Sequence, residues 1–180
     1  MNAIQKFSVA AALAALVALP VAARAEATLG DTNTAIALMR KADPGLSKFF
    51  AKSAGYAVFP NIGKGGFIVG GAGGSGYLFE GGKAIGKTSM AQATIGAQIG
   101  GQTYSEIIFF ETKEALAAFK KGEWTMAAQV SAVAIKSGAS ADAKYSDGVA
   151  VFTLAKAGAM AEASVGGQKF TYEPISAKKK

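Results

Sequence analysis

Apolar residues recur with helical spacing soon after residue 30, and the pattern turns strand-like from about residue 55 onward. Asp31 is a plausible N-cap, and Thr32 to Lys41 reads as a helix with Ile36 and Met39 one turn apart. Asp43-Pro44 starts a second helix, because proline at the first helical position after an acidic cap costs no hydrogen bond. Leu46, Phe49 and Phe50 form its apolar face, Lys48 and Lys52 lie four apart on another face, and Gly55 ends it.

From Tyr56 the elements predicted are strands: Tyr56–Phe59 stopped by Pro60-Asn61, then Phe67–Gly71, Tyr77–Glu80, Ala84–Met90 and Ala93–Gly100. Glycine pairs at 65–66, 73–74 and 81–82 read as turns between them. Tyr104–Phe110 carries four consecutive large apolar residues, Ile107 to Phe110, as a strand buried on both faces does. Lys113–Lys121 reads as a short helix closed by Gly122. Trp124–Ile135 reads as strand, Ser137–Asp147 as a polar loop, and Val149–Ala155, Ala159–Gly166 and Gln168–Tyr172 as further strands. The expected fold class is α+β: a curved, glycine-rich, mainly antiparallel sheet or partial barrel, with two N-terminal helices and one short helix near 113–121.

Residues 1–25 have the pattern of a cleavable signal peptide. Lys6 charges a short n-region, Phe7–Leu19 is apolar, Pro20 breaks it, and Ala23-Arg24-Ala25 is a small-x-small cleavage site. The apolar run is shorter than the ~20 residues a spanning helix needs. No cysteine follows, so a lipoprotein is not expected. The expectation is an exported, periplasmic protein, peripheral to a membrane, with one domain over 26–174 and a basic tail over 175–180. Losing Lys6 and Arg24 leaves 17 basic against 12 acidic residues, three of the basic ones being Lys178, Lys179 and Lys180. The folded body is therefore only mildly basic, which weakens the case for a nucleic-acid partner.

The chain of 180 residues has no cysteine and no histidine. Disulfides, thiolate nucleophiles, thiolate or histidine metal sites and Ser-His-Asp chemistry are thereby excluded. No catalytic residue, metal ligand or cofactor-binding residue is assigned, and no cofactor is expected. Residues 81–88 match the spacing of a phosphate-binding P-loop, but glycines and β-branched residues follow Thr88 where a helix is required. A hairpin turning at Gly81-Gly82 is the better reading, and no nucleotide is expected. Gly71–Gly76 matches GxGxxG with no helix after it, and reads as a hairpin or bulge. Glu106 stands out as an acid inside an apolar strand beside Tyr104. Its expected role is a structural bond to glycine-turn amides or to a lysine, with an enzyme using Glu106 and Tyr104 as a third, weaker reading.

Phe49 and Phe50 with Lys48 and Lys52 form an aromatic and basic helix of the kind that rests at a membrane interface, and Lys41 and Lys64 extend the candidate patch. The same periodicity serves a helix packed on a sheet.

Several blocks resemble the SYLF domain: Ala54–Pro60 followed by Gly63–Phe67, Gly70–Gly76, Gly96–Gln102, Ser105–Phe110, and Gly166–Phe170 with Tyr172 and Pro174. They occur in family order across roughly Thr32 to Pro174. The resemblance implies a non-enzymatic module binding anionic, phosphoinositide-like phospholipid, here at the bacterial cell envelope. Some eukaryotic members also bind actin. In those members a basic amphipathic segment on the N-terminal side takes part in lipid binding, which in this chain corresponds to the region of Lys41, Lys48, Lys52 and Lys64. Residues 1–180 contain no SH3 or FYVE module, so the partners of those modules are not implied. The alternative expectation is a structural or protein-interaction module of the envelope without direct lipid binding.

Overall fold

The computed structural model describes residues 26–67, 69–95, 101–122, 131–157 and 167–175. The signal peptide, Ala159–Gly166, most of Trp124–Ile135 and the lysines of the tail lie outside the described residues.

Helix α1 (Leu29–Ala42) begins one turn earlier than the sequence pattern indicates, because Thr28 and not Asp31 is its cap. The two form a reciprocal capping box: the Asp31 amide donates to Thr28 Oγ1 at 3.1 Å and the Thr28 amide to Asp31 Oδ2 at 3.0 Å. Asp43 then caps a single 3-10 turn (Pro44–Leu46) that runs into the short helix α2 (Ser47–Lys52). Helix α2 ends before Gly55, which instead opens the first strand.

Among the described residues seven strands form one sheet: β1 (Gly55–Phe67), β2 (Val69–Glu80), β3 (Lys83–Ile95), β4 (Gly101–Phe110), β5 (Ala132–Ala134), β6 (Val149–Ala157) and β7 (Gln168–Pro174). Helix α3 (Lys113–Lys120) follows β4, capped by Thr112, and Gly122 at φ +69° closes it. The strand order is β5-β6-β4-β1-β2-β3-β7, and every pairing is antiparallel except β5 with β6. The sheet is curved but open, with β5 and β7 as its edges.

The glycine tracts lie mostly inside strands. Pro60-Asn61 does not stop β1 but sits in a bulge between Phe59 and Ile62. There Ser105 Oγ donates to the Pro60 carbonyl at 2.7 Å. Gly71–Gly76 is the interior of β2, alongside that bulge, so it is not a hairpin. A Cβ on Gly76 would collide with the Val58 carbonyl, so the close approach of β1 and β2 requires glycine at this point. Gly81 and Gly82, at φ +57° and +76°, make the tight turn between Glu80 and Lys83, as expected for a hairpin. The P-loop-like stretch is thus that turn and the beginning of β3. Thr88 lies within the strand, where its hydroxyl donates to the Thr171 carbonyl at 2.7 Å.

The sheet is buried on both faces. Residues Ile107 and Phe109 of β4 pack with Val58, Met39 and Phe49 under α1 and α2. The alternate residues Ile108 and Phe110 face the concave side, with Phe59, Met90, Phe170 and the α3 residues Leu116 and Phe119. This two-sided burial accounts for the unbroken apolar run of β4. Lys120 also ties α3 to β2 through an ion pair with Glu80 at 2.6 Å.

Candidate functional site

Helix α2 is short, and an isolated helix of this length does not persist in water. Its position is fixed by neighbours. Asp43, 1% exposed, accepts from the Gly45 amide at 3.0 Å and from the Ser140 amide at 2.7 Å. Burial pushes the Asp43 carboxyl up, but the hydrogen bonds from Ser140, Gly45 and Gly138 together outweigh it and hold the group below the ordinary aspartate range. Lys48 Nζ donates to the Ala141 carbonyl at 2.9 Å, a second tie between α2 and the same loop.

Between α2 and this loop lies a cleft of about 400 Å³. Lys48, Lys52 and Lys144 line it, and all three are exposed. Glu111 is the one acid among its lining residues. The rings of Phe49 and Tyr145, 5.5 Å apart and edge to face, complete the apolar part of the wall with Ala143. Burial, and next the nearby Glu111 charge, raise the Tyr145 phenol above its usual value, so it stays neutral.

The aromatic pair of α2 serves the core more than the surface. Phe49 is 3% exposed and its ring lies 4.9 Å from that of Phe152 and 5.5 Å from that of Phe109. Phe50 is half-buried against Tyr56 and Phe109, with the Arg40 guanidinium 3.9 Å above its ring. The exposed large apolar side chains among the described residues are Leu29, Leu38 and Ile175. Leu38 lies one turn before Lys41 on α1.

The structure brings Lys48 and Lys52 together and adds Lys144, which the sequence reading missed. Lys144 sits in a polar loop, and nothing in the local pattern ties that loop to α2. Lys41 is exposed near the C-terminal end of α1, joined to α2 by the Asp43–Leu46 turn. Lys64 is half-buried on β1 between Ala72 and Gln102, nine residues beyond Gly55 and so on the order of 30 Å along the strand. It does not join the cleft.

Glu106 has no accessible surface. Its partner is neither a glycine-turn amide nor a lysine but the side-chain amide of Gln168, whose Nε2 donates to Oε2 at 3.1 Å. Among the described residues no group of three or more acidic side chains is placed to hold a metal ion. No described helix is long and apolar enough to cross a membrane.

The architecture is a mixed α+β sheet whose N-terminal helices present a basic cleft. Residues 91–175 match the family model described as "Ysc84: Las17-binding protein actin regulator", and this region is a Ysc84 (SYLF) domain. The family is linked to lipid binding in general and is generally non-enzymatic. The chain is also 30% identical over 141 residues to Beta cell expansion factor A of Aeromonas veronii, an alignment covering 77% of this chain and 53% of that protein. It thus spans about half the length of that curated relative.

Proposed function

We propose that the protein is an exported, non-enzymatic module that binds anionic phospholipid at the surface of a membrane in the bacterial envelope, with residues 26–174 as its single domain. The observation that carries this reading is the convergence of Lys48, Lys52 and Lys144 on one cleft whose backbone is tied down by Asp43 and Ser140. Lys41 adds a fourth ammonium group on the adjoining end of α1, and Leu38 an exposed apolar side chain beside it. Phe49 and Phe50 act from behind, by seating α2 on the sheet so that its lysines face outward. A lysine near an anionic surface contributes on the order of 1 kcal/mol, so a cluster of four supports reversible peripheral binding that weakens with salt. The test is co-sedimentation of the protein with neutral and anionic vesicles across a salt series. Binding only to anionic vesicles, lost at high salt, supports the reading, and equal binding to both, or to neither, contradicts it.

A second reading, an envelope protein-interaction module, is favoured by the open sheet. Among the described strands, edge strand β7 pairs with β3 on one side only, which offers a ladder to which another chain can add. The description of the matching family as Las17-binding points to protein contacts in relatives. In this reading vesicle binding is absent and a partner protects the β7 backbone amides from exchange.

A further inference from the structure

The concave side of the sheet holds a carboxyl group, that of Glu106, with no accessible surface. Strand β4, which carries it, is third in the sheet order, and β7, which carries Gln168, is seventh. Only the coil of the sheet brings the two side chains within 3.1 Å.

That bond leaves an unusual remainder. Glu106 Oε1 and Gln168 Oε1 are both buried and neither has a hydrogen-bond partner. They belong to two groups already joined through Nε2 and Oε2. An ionised carboxylate accepts only and has no hydrogen to offer the amide oxygen. A carboxylic acid has one. With a proton on Glu106 Oε1, acid and amide close a two-bond ring: the amide N–H donates to Oε2, and the acid O–H donates to the amide oxygen. One proton so placed offers both leftover atoms a partner, and a buried unpaired acceptor is costly.

The surroundings agree. The register neighbours of Glu106 are Phe59 on β1 and Thr153 on β6, and Tyr104 lies two residues before it on the same face. No ammonium, guanidinium or second carboxylate faces it among the described residues. The titratable neighbour is the Tyr104 phenol, which burial, and then the Glu106 charge, raise far above its usual value, so it stays neutral. Burial pushes the Glu106 carboxyl up to about 7, against a smaller lowering by the Gln168 bond.

We propose that Glu106 is held as the neutral acid and that its two-bond pair with Gln168 is a proton-operated clasp between β4 and the edge strand β7. Loss of the proton leaves the amide oxygen without a donor and places a charge in an apolar interior with no counter-ion. Strand β7 is the element that yields, because among the described strands it pairs with β3 alone. The clasp is closed at acidic pH and loosens as pH rises through neutrality. It does not depend on what the lysine cleft binds.

The test is amide hydrogen exchange of β7 in the purified protein and in Glu106→Gln, between about pH 5.5 and 8.5 and corrected for intrinsic exchange. The amide of the variant can make the same two-bond ring at every pH. The wild-type protein is expected to lose about tenfold in β7 protection relative to the variant as pH rises through neutrality. Flat protection in the wild type, or an equal fall in both, overturns the clasp. A carbon-13 titration of the Glu106 side-chain carboxyl in the unaltered protein decides the matter even where the variant does not fold. A midpoint near neutrality supports the clasp, and a midpoint in the ordinary glutamate range overturns it.

Discussion

The Asp43 carboxylate and the Ser140 amide, 97 residues apart in sequence, meet at 2.7 Å beneath the cleft. This bond anchors the connection between α1 and α2 to the loop that supplies Lys144, while the bond from the Gly45 amide caps the turn within the connection. Asp43→Ala leaves the buried Ser140 amide and the part-buried Gly45 amide unpaired and is expected to destabilise the protein by about 2 kcal/mol in denaturant unfolding. Asp43→Asn, which keeps one acceptor oxygen, is expected to lose less. Equal stability of the alanine variant and the wild type would show that the loop is not held through this carboxylate.

The sign of the acid response follows from the same group. Hydrogen bonds outweigh burial and place the folded Asp43 below its unfolded value, so its contribution to stability is complete above the ordinary aspartate range. It is lost as pH falls through the depressed folded value. The acid limb of a stability–pH curve is therefore expected to be shallower in Asp43→Asn than in the wild type.

Glu106 has the opposite linkage. Its carboxyl, raised to about 7 by burial, binds a proton more tightly in the folded state, so its contribution is complete below the ordinary glutamate range. That contribution falls as pH rises from there to about 7 and is then lost. Glu106→Gln is expected to match the wild type in acid and to exceed it by up to about 3 kcal/mol above neutrality. A variant less stable than the wild type at alkaline pH would contradict this.

Gly76 sits where a side chain would meet the backbone of β1, against the Val58 carbonyl. Gly76→Ala must push two paired strands apart beside the bulge, and a loss of about 1–3 kcal/mol is expected. Gly101, where a Cβ would meet the nearest atom, the Lys64 carbonyl, at 4.0 Å, provides the comparison: its alanine variant is expected to be near neutral. Thermal unfolding of the two variants side by side checks the contrast.

Much of the fold was legible in local signals. The Asp43-Pro44 start, the Gly81-Gly82 turn, the burial of β4 and the Lys113–Lys121 helix closed by Gly122 depend on residues close in sequence. The glycine tracts misled, because Gly71–Gly76 has the composition of a turn and its place inside β2 depends on how closely β1 approaches. The helical period correctly grouped Phe49 and Phe50, but period alone does not say whether a face meets a sheet or a membrane, and the ring of Phe49 meets Phe109 and Phe152. In the candidate site the pair Lys48 and Lys52 was legible from its i, i+4 spacing. Lys144 was not, since it reaches α2 only through long-range contacts, and neither was the Gln168 partner of Glu106, 62 residues away. Lys64 is near α2 in sequence but is carried away by an extended strand.

In the proposed function the Lys48, Lys52 and Lys144 cleft is the lipid-binding surface. Its most direct test is the affinity of the wild type, the triple variant Lys48→Gln/Lys52→Gln/Lys144→Gln and Lys64→Gln for anionic vesicles at low salt, with folding of each checked by circular dichroism. At about 1 kcal/mol for each lysine, the triple variant is expected to bind on the order of 100-fold more weakly, while Lys64→Gln stays close to the wild type. A folded triple variant that binds as tightly as the wild type would remove the cleft from the membrane contact.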